Sequence, residues 1–375
     1  MSLSQDLTLY REYFPITKKL IYFNHAATGP MSLPARKAIE ECMNVYSHQA
    51  EFGFDAYFGK LAAARSNIAK LINADSEEIT FTHNTSEGIY IALINLPLKP
   101  GDKILIMKEV FPTVQYIVDY NLPQIEKKYV SFCGRDPVEV VRHNLDKKVK
   151  AVVIDWVQFF TGEVIDLKRL SSFLKGEDIY LVVDGIQGIG AIDFNVRETE
   201  IDFLACGAAK WLFGPSGVGF LYVNKKNFKS LNRLHTGWLG ADWQSWERFD
   251  VPLPLFDDAR MFEQGTRNVI GISAFSENIK ILLEFGLKSV YKRILAVKEK
   301  LRQSAEELDF EILTPRKGGQ SGMITIRPQQ DARELYKQLR KNNILISLRN
   351  NCLRLSPHFY NTEEEAEEIM RILER

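Results

Sequence analysis

The stretch Asp202–Val223 reads DFLACGAAKWLFGPSGVGFLYV. It is small and apolar apart from one central cation, Lys210, set between Ala208-Ala209 and Trp211-Leu212-Phe213 just ahead of a glycine loop. An ammonium withdrawn from water is destabilised, and a lysine relieves this through a depressed pKa. The product is a nucleophilic amine. Taken alone, Lys210 reads equally well as a lysine whose head snorkels to the surface.

Outward from this stretch the chain alternates helix and strand from about residue 60 to 225. Lys103–Met107 (KILIM), Ala151–Ile154 (AVVI) and Ile179–Val183 (IYLVV) are short unbroken apolar runs, which suit strands buried on both faces of a parallel sheet. Amphipathic stretches such as Asp166–Leu174 lie between them. The expected architecture is α/β, a three-layer large domain around a mostly parallel sheet. From about residue 270 long charged helical segments appear (Ile272–Phe285, Leu287–Leu308). They are followed by strand-like MITIRP (Met323–Pro328) and ILISL (Ile344–Leu348), helical Ala332–Lys341 and a last helix near Thr362–Leu373. We assign residues 20–260 to the large domain, and 1–19 with 261–375 to a smaller α+β domain.

The 375 residues are 45% hydrophobic and 26% charged, with 48 basic and 48 acidic side chains. A zero formal charge gives no support to a nucleic-acid or membrane-surface partner. No apolar run reaches transmembrane length, and MSLSQDLTLYREYF lacks the blocks of a secretory leader. The four cysteines are far apart and the six histidines form no H-x-x-x-H pair, so no metal site is expected. A reducing, cytoplasmic setting is the expectation.

Ligands of open α/β sheets bind at the carboxyl ends of the strands. The apolar runs end in Lys108-Glu109-Val110-Phe111, in Asp155-Trp156-Val157-Gln158 and in Asp184-Gly185-Ile186-Gln187. Upstream, Asn84 stands where it caps the apolar helix Ile89–Leu96, and Glu87 completes a capping-box pattern. Thr85 and Ser86 add hydroxyls to the free N–H groups of a positive helix end, which suits a phosphate. A plain helix cap explains the same residues. The patterns Gly185…Gly190 and Gly214…Gly219 are G-x-x-G-x-G, the wrong order for a dinucleotide fingerprint. Asp184, Lys210 and the hydroxyl-rich helix start are together the parts that hold pyridoxal 5'-phosphate: a carboxylate for the pyridine nitrogen, an amine for the aldehyde, a helix end for the phosphate.

These residues and their neighbours resemble the fold-type I pyridoxal-phosphate enzymes of the class V aminotransferase group, with its cysteine desulfurases, kynureninases and isopenicillin-N-epimerase-like members. The likeness is carried by Phe23–Pro30 (FNHAATGP), Asn84–Gly88 (NTSEG) and Val183–Gln187 (VDGIQ). It continues in Lys210–Pro215 (KWLFGP), Phe262–Asn268 (FEQGTRN) and Leu353–Thr362 (LRLSPHFYNT). It implies that Lys210 forms the Schiff base and then moves the substrate α-proton, and that Asp184 pairs with the ring nitrogen. Gln187 would reach the ring hydroxyl, Thr85 and Ser86 the phosphate, and Phe111 the ring face. Thr266 would reach the phosphate of a neighbouring subunit in a homodimer. Arg354 would take the substrate carboxylate, with Asn24 and Trp238 beside the substrate.

The chain also departs from the group. Many desulfurases carry a phosphate-binding serine and histidine where Gly207 and Ala209 stand. The group's asparagine after the third strand falls on Phe159, and the adjacent Gln158 is taken as its substitute. Arg349–Arg354 (RNNCLR) leaves no extended loop for a catalytic thiol at Cys352. The implied activity is a transaminase-like reaction on an amino acid or small amine. Epimerisation, C–S or C–C lysis (with His235 and Trp238 lining the pocket) and a non-catalytic cofactor-binding scaffold are the alternatives.

Overall fold

The computed structural model describes residues 3–243 and 253–374. A two-residue strand, β1 (Ile21–Tyr22), opens the sheet elements. The large sheet follows with β2 (Ile79–Thr82), β3 (Lys103–Met107), β4 (Glu126–Val130) and β5 (Val149–Asp155). It is completed by β6 (Tyr180–Asp184), β7 (Phe203–Gly207) and β8 (Gly219–Val223). Its order is β2-β8-β7-β6-β5-β3-β4. The pairs from β7 through β6, β5 and β3 to β4 are parallel, and only β8 runs against its neighbours. Strands β5 to β8 are buried almost throughout. That is why they read as continuous apolar runs and not as alternations.

The remaining strands are β9 (Glu311–Ile312), β10 (Ile324–Arg327), β11 (Ile344–Leu345), β12 (Ser347–Arg349) and β13 (Cys352–Leu355). β12-β13-β10-β9 form an antiparallel sheet, while β11 leaves it to pair with β1. The single run ILISL is therefore two strands serving two sheets. Helix starts follow the capping residues: Asp166 accepts from the Arg169 N–H at 3.0 Å, and Thr362 with Glu365 forms a reciprocal box.

The apolar cores divide elsewhere than the expected boundary at residue 261. The helix Val269–Phe285 packs on the helices Leu33–Gln49 and Phe54–Ile72, and Ile272, Phe275 and Ile279 belong to the larger core. Phe14, expected with the smaller part, also lies in the larger core. The division falls inside the helix Leu287–Glu307: Val290 and Ile294 face the larger core, Val297 and Leu301 the smaller. One helical stripe long enough to serve two cores is not distinguished by periodicity from a stripe serving one. Among the described residues no helix is long and apolar enough to cross a membrane.

A buried ion pair ties the segment Ala259–Glu263 to the edge strand β2. Arg65 Nη1 donates to Glu263 Oε1 at 2.9 Å, and the same carboxylate oxygen accepts from the Phe81 N–H at 3.2 Å. The Arg65 guanidinium lies 4.6 Å from the Phe81 ring centre. Removing Arg65 leaves the buried Glu263 carboxylate with only the Phe81 N–H and the more distant Arg267, 3.8 Å away. Arg65→Met is expected to destabilise the protein by about 3–5 kcal/mol, read as a clear fall in melting temperature; an unchanged melt would show the pair to be unimportant.

Candidate active site

The carboxyl ends of β5, β6 and β7 open on one cavity of about 310 Å³. Lys210, Asp184, Gln187, Thr85, Ser86 and Phe111 all line it. These residues come from four separate stretches of chain, and parallel crossovers bring their strand ends to one edge.

Lys210 sits in the loop between β7 and β8. Phe213, three residues on, has φ 55°, a left-handed conformation unfavourable for a bulky side chain. It is held there by packing: its ring is fully buried, 4.8 Å from Phe14 and 4.4 Å from His358. Its N–H donates to the Lys210 carbonyl at 3.1 Å. The segment Phe23–Pro30 closes over this loop. Gly29 N–H donates to the Ala209 carbonyl at 2.8 Å, and a Cβ at Gly29 would fall 2.1 Å from the Lys210 oxygen. Only glycine permits that approach.

The cavity's electrostatics follow from burial. Asp184 is 4% exposed, and its carboxyl is pushed up to about 6 by desolvation, against the pull of the Ile186 N–H (2.9 Å) and Lys210. Lys210 is pulled down to about 8, first by desolvation and then by the charge of Arg354, with Asp184 and Asp155 acting the other way. Its Nζ lies 5.9 Å from the centre of the Phe111 ring.

Thr85 opens the helix Thr85–Asn95, and its hydroxyl accepts the Gly207 N–H at 2.9 Å. A Cβ at Gly207 would meet that hydroxyl oxygen at 3.1 Å, so glycine leaves the helix start clear. Asn84 caps this helix, accepting from the Glu87 N–H at 2.9 Å. The reciprocal half of the expected capping box does not form: the Glu87 carboxylate reaches back one residue further, to the His83 N–H at 2.5 Å. Gln187 accepts from Trp211 Nε1 at 2.9 Å and donates to the Ala26 carbonyl at 3.0 Å, which leaves one amide N–H.

The other expected residues lie outside the cavity lining. Gln158 is spent in its own turn: Oε1 accepts from the Phe160 and Thr161 N–H groups at 2.8 and 2.6 Å, and Nε2 donates to the Glu109 carbonyl at 3.3 Å. The turn after β5 needs that acceptor, so the side chain folds back and does not reach the site. Arg354, on β13 and 4% exposed, donates to the carbonyl of Phe159, a lining residue. Its Nε has no partner, and burial pulls its pKa down to about 10. Asn24 joins it through Ser347, whose hydroxyl donates to Asn24 Oδ1 at 2.5 Å and lies 3.5 Å from Arg354 Nη2. Thr266 is exposed and Trp238 lies beside the same turn, since a Cβ on Gly265 would sit 3.5 Å from Trp238 Nε1. His235 lies 4.0 Å from Glu87 and is not among the lining residues. The residue that sequence reasoning passed over is Asp155, which ends β5 as Asp184 ends β6 and lines the cavity. Its signal was that shared position.

The family model of Aminotransferase class-V matches residues 21–372, and the chain belongs to that family. It is a pyridoxal-phosphate-dependent enzyme. An uncharacterized aminotransferase, YcbU of Bacillus subtilis, is 26% identical over 95% of this chain and 94% of its own. A probable cysteine desulfurase of Pyrococcus abyssi is 27% identical over 97% and 96%. The solved complex of the cystine C–S lyase C-DES with its product cysteine persulfide has TM-score 0.88 at 22% identity, over 96% of this chain and 99% of that one. The fold is thus shared with a C–S lyase.

The cavity fits pyridoxal phosphate on its own features. It offers an acid at one strand end, an enclosed amine, a helix start kept clear by Gly207, and an unpartnered buried carboxylate oxygen at Asp155. The neutral amine is the form that reacts with an aldehyde. With the folded pKa lowered to about 8, that form is a minority below pH 8 and the majority above. The covalent uptake of pyridoxal phosphate by cofactor-free protein is expected to quicken about tenfold per pH unit up to pH 8, then level. Stopped-flow absorbance checks it; a rate still climbing at that slope to pH 10 would show an unperturbed lysine.

Proposed function

We propose that the protein moves the proton at the α-carbon of an amino acid in an aminotransferase-like reaction. The carrying observation is the enclosed Lys210 beside Asp184, with Arg354 held one layer behind. Bound pyridoxal phosphate supplies an electron sink for the charge that develops at the α-carbon. Asp184 would hold a positive charge at the ring nitrogen, since burial raises its carboxyl no further than about 6. Thr85, Ser86 and the free N–H groups of their helix hold the phosphate. Phe111, which lines the cavity, would cover the ring and limit water. Gln187 offers its remaining N–H to the ring oxygen. Lys210, freed as an amine of lowered basicity, takes and returns the proton.

Arg354 is the anchor for the substrate carboxylate. A buried guanidinium with an unpartnered Nε is half of an ion pair whose other half is supplied by a ligand. Asn24, tied to it through Ser347, orients it. Thr266 is exposed and neither it nor Trp238 lines this cavity, which supports a homodimer in which each serves the neighbouring subunit's site. Sedimentation is expected to give a dimer; an active monomer would remove Thr266 from the site.

A second reading is a C–S lyase, favoured by the fold shared with C-DES over nearly the whole chain. A persulfide-forming desulfurase finds no support in the cavity. None of the four cysteines lines it, and the Cys352 thiol is buried in β13, 3.5 Å from the Asn350 carbonyl. The deciding experiment is a panel of amino acids scanned for a change in cofactor absorbance, with keto acid, racemised product and sulfide assayed together. Keto acid supports the first reading. Pyruvate with sulfide from cysteine, or pyruvate with cysteine persulfide from cystine, would replace it with the second. On the responsive amino acid, Arg354→Ala is expected to raise KM steeply, with about 2–5 kcal/mol at stake, and Cys352→Ala to leave turnover within about twofold. The reverse pattern would restore a catalytic thiol.

A further inference from the structure

Asp155 is the one acid of the cavity without a role in the reading above. It is 4% exposed, and it ends β5 directly across the parallel ladder from Asp184 at the end of β6. Neighbouring strands lie about 4.8 Å apart, so the two carboxyls share one small volume. Oδ2 accepts the Phe111 N–H at 3.0 Å, which fixes the side chain. Oδ1 is fully buried and has no hydrogen-bond partner. A buried, unpartnered carboxylate oxygen is strongly unfavourable. Two ionised carboxylates in such a space are more so, and one of them keeps a proton.

The groups facing Asp155 decide which. Asp184 on β6 repels its charge, Lys210 in the loop after β7 attracts it, and the Phe111 N–H from the segment after β3 stabilises it. Burial and Asp184 outweigh the other two, and Asp155 is held well above the ordinary carboxylate range. Asp184 carries its own backbone donor and stays the readier to ionise. With Gln158 folded into its turn, Asp155 is also the polar side chain that β5 presents to the cavity.

We propose that Asp155 is a second acid of the cofactor site, a neutral carboxyl that donates a hydrogen bond through its free oxygen to the ring oxygen of pyridoxal phosphate. It takes the place left by Gln158 and works beside the remaining Gln187 N–H. The proposal rests on the reading of this cavity as the cofactor site. Asp184 and Asp155 then divide the ring between them: one ionised, holding a positive nitrogen, and one neutral, holding the oxygen.

An asparagine reproduces a neutral carboxyl, with its oxygen on the Phe111 N–H and its NH₂ toward the cavity. Valine keeps the shape and suits a strand end, but has no donor. The test measures the pyridoxal-phosphate dissociation constant and the pH titration of the visible band for wild type, Asp155→Asn and Asp155→Val, with apo-protein melts as the folding control. Asp155→Asn is expected within about threefold of wild type. Asp155→Val is expected to bind at least tenfold more weakly and to shift the titration midpoint by about one pH unit. If asparagine binds as weakly as valine, charge and not the donor matters, and the proposal falls. Wild-type binding by Asp155→Val overturns it as well. Should the valine variant fail to melt cooperatively, Asp155→Ala replaces it with the same expectations. Wild-type protein that takes up no pyridoxal phosphate would overturn the reading of the cavity itself, a result distinct from either of these.

Discussion

The structure is organised around one electrostatic arrangement: a lysine enclosed at the carboxyl edge of a parallel sheet, with two buried acids opposite it. Taking Lys210 out of water lowers its pKa, and the charge of Asp184 recovers part of the lost solvation. Neither acid is well solvated either, and both are raised. The three groups therefore carry fewer charges than they would in water, which is the condition for an amine that is nucleophilic near neutral pH. Everything around the cavity serves to keep these groups close and dry.

That enclosure is built by chain segments remote in sequence. The loop of Lys210 is turned by Phe213 in a conformation its side chain disfavours, and an aromatic cluster of Phe14, His358 and Tyr360 holds it. His358 also reaches the Trp211 carbonyl at 3.0 Å. Trp211 in turn orients Gln187. The segment Phe23–Pro30 pairs with the end of β13 at Asn24 and Ser356, then crosses the lysine loop at Gly29. The smaller core thus positions the larger core's reactive group. Arg354, carried on β13, is placed by the same connection.

The departures from the family pattern have consistent physical consequences. Gly207 and Ala209 offer no side-chain donors, but Gly207 lets its own N–H meet the Thr85 hydroxyl. The helix start then bears more of an anion's charge through backbone groups. Gln158 sits where a polar contact to the site is expected, yet its amide closes the turn after β5. Asp155, one residue past the last apolar position of that strand, is the polar group that remains.

The sequence by itself determined the layered α/β architecture, the strands KILIM and IYLVV to within a residue, and Lys210 and Asp184 as residues singled out for the site. Unbroken apolar runs mean burial on both faces, and a single cation in an apolar stretch is conspicuous under any packing. Only the tertiary structure decided that ILISL splits between two sheets, that the helix Leu287–Glu307 serves two cores, and that Gln158 turns away while Asp155 turns in. Those outcomes depend on which neighbour satisfies a backbone group or fills a volume. Periodicity reports which face of an element is buried, but not against what. The raised pKa values of Asp155 and Asp184 belong to the same class, because they arise first from burial, which no local pattern encodes.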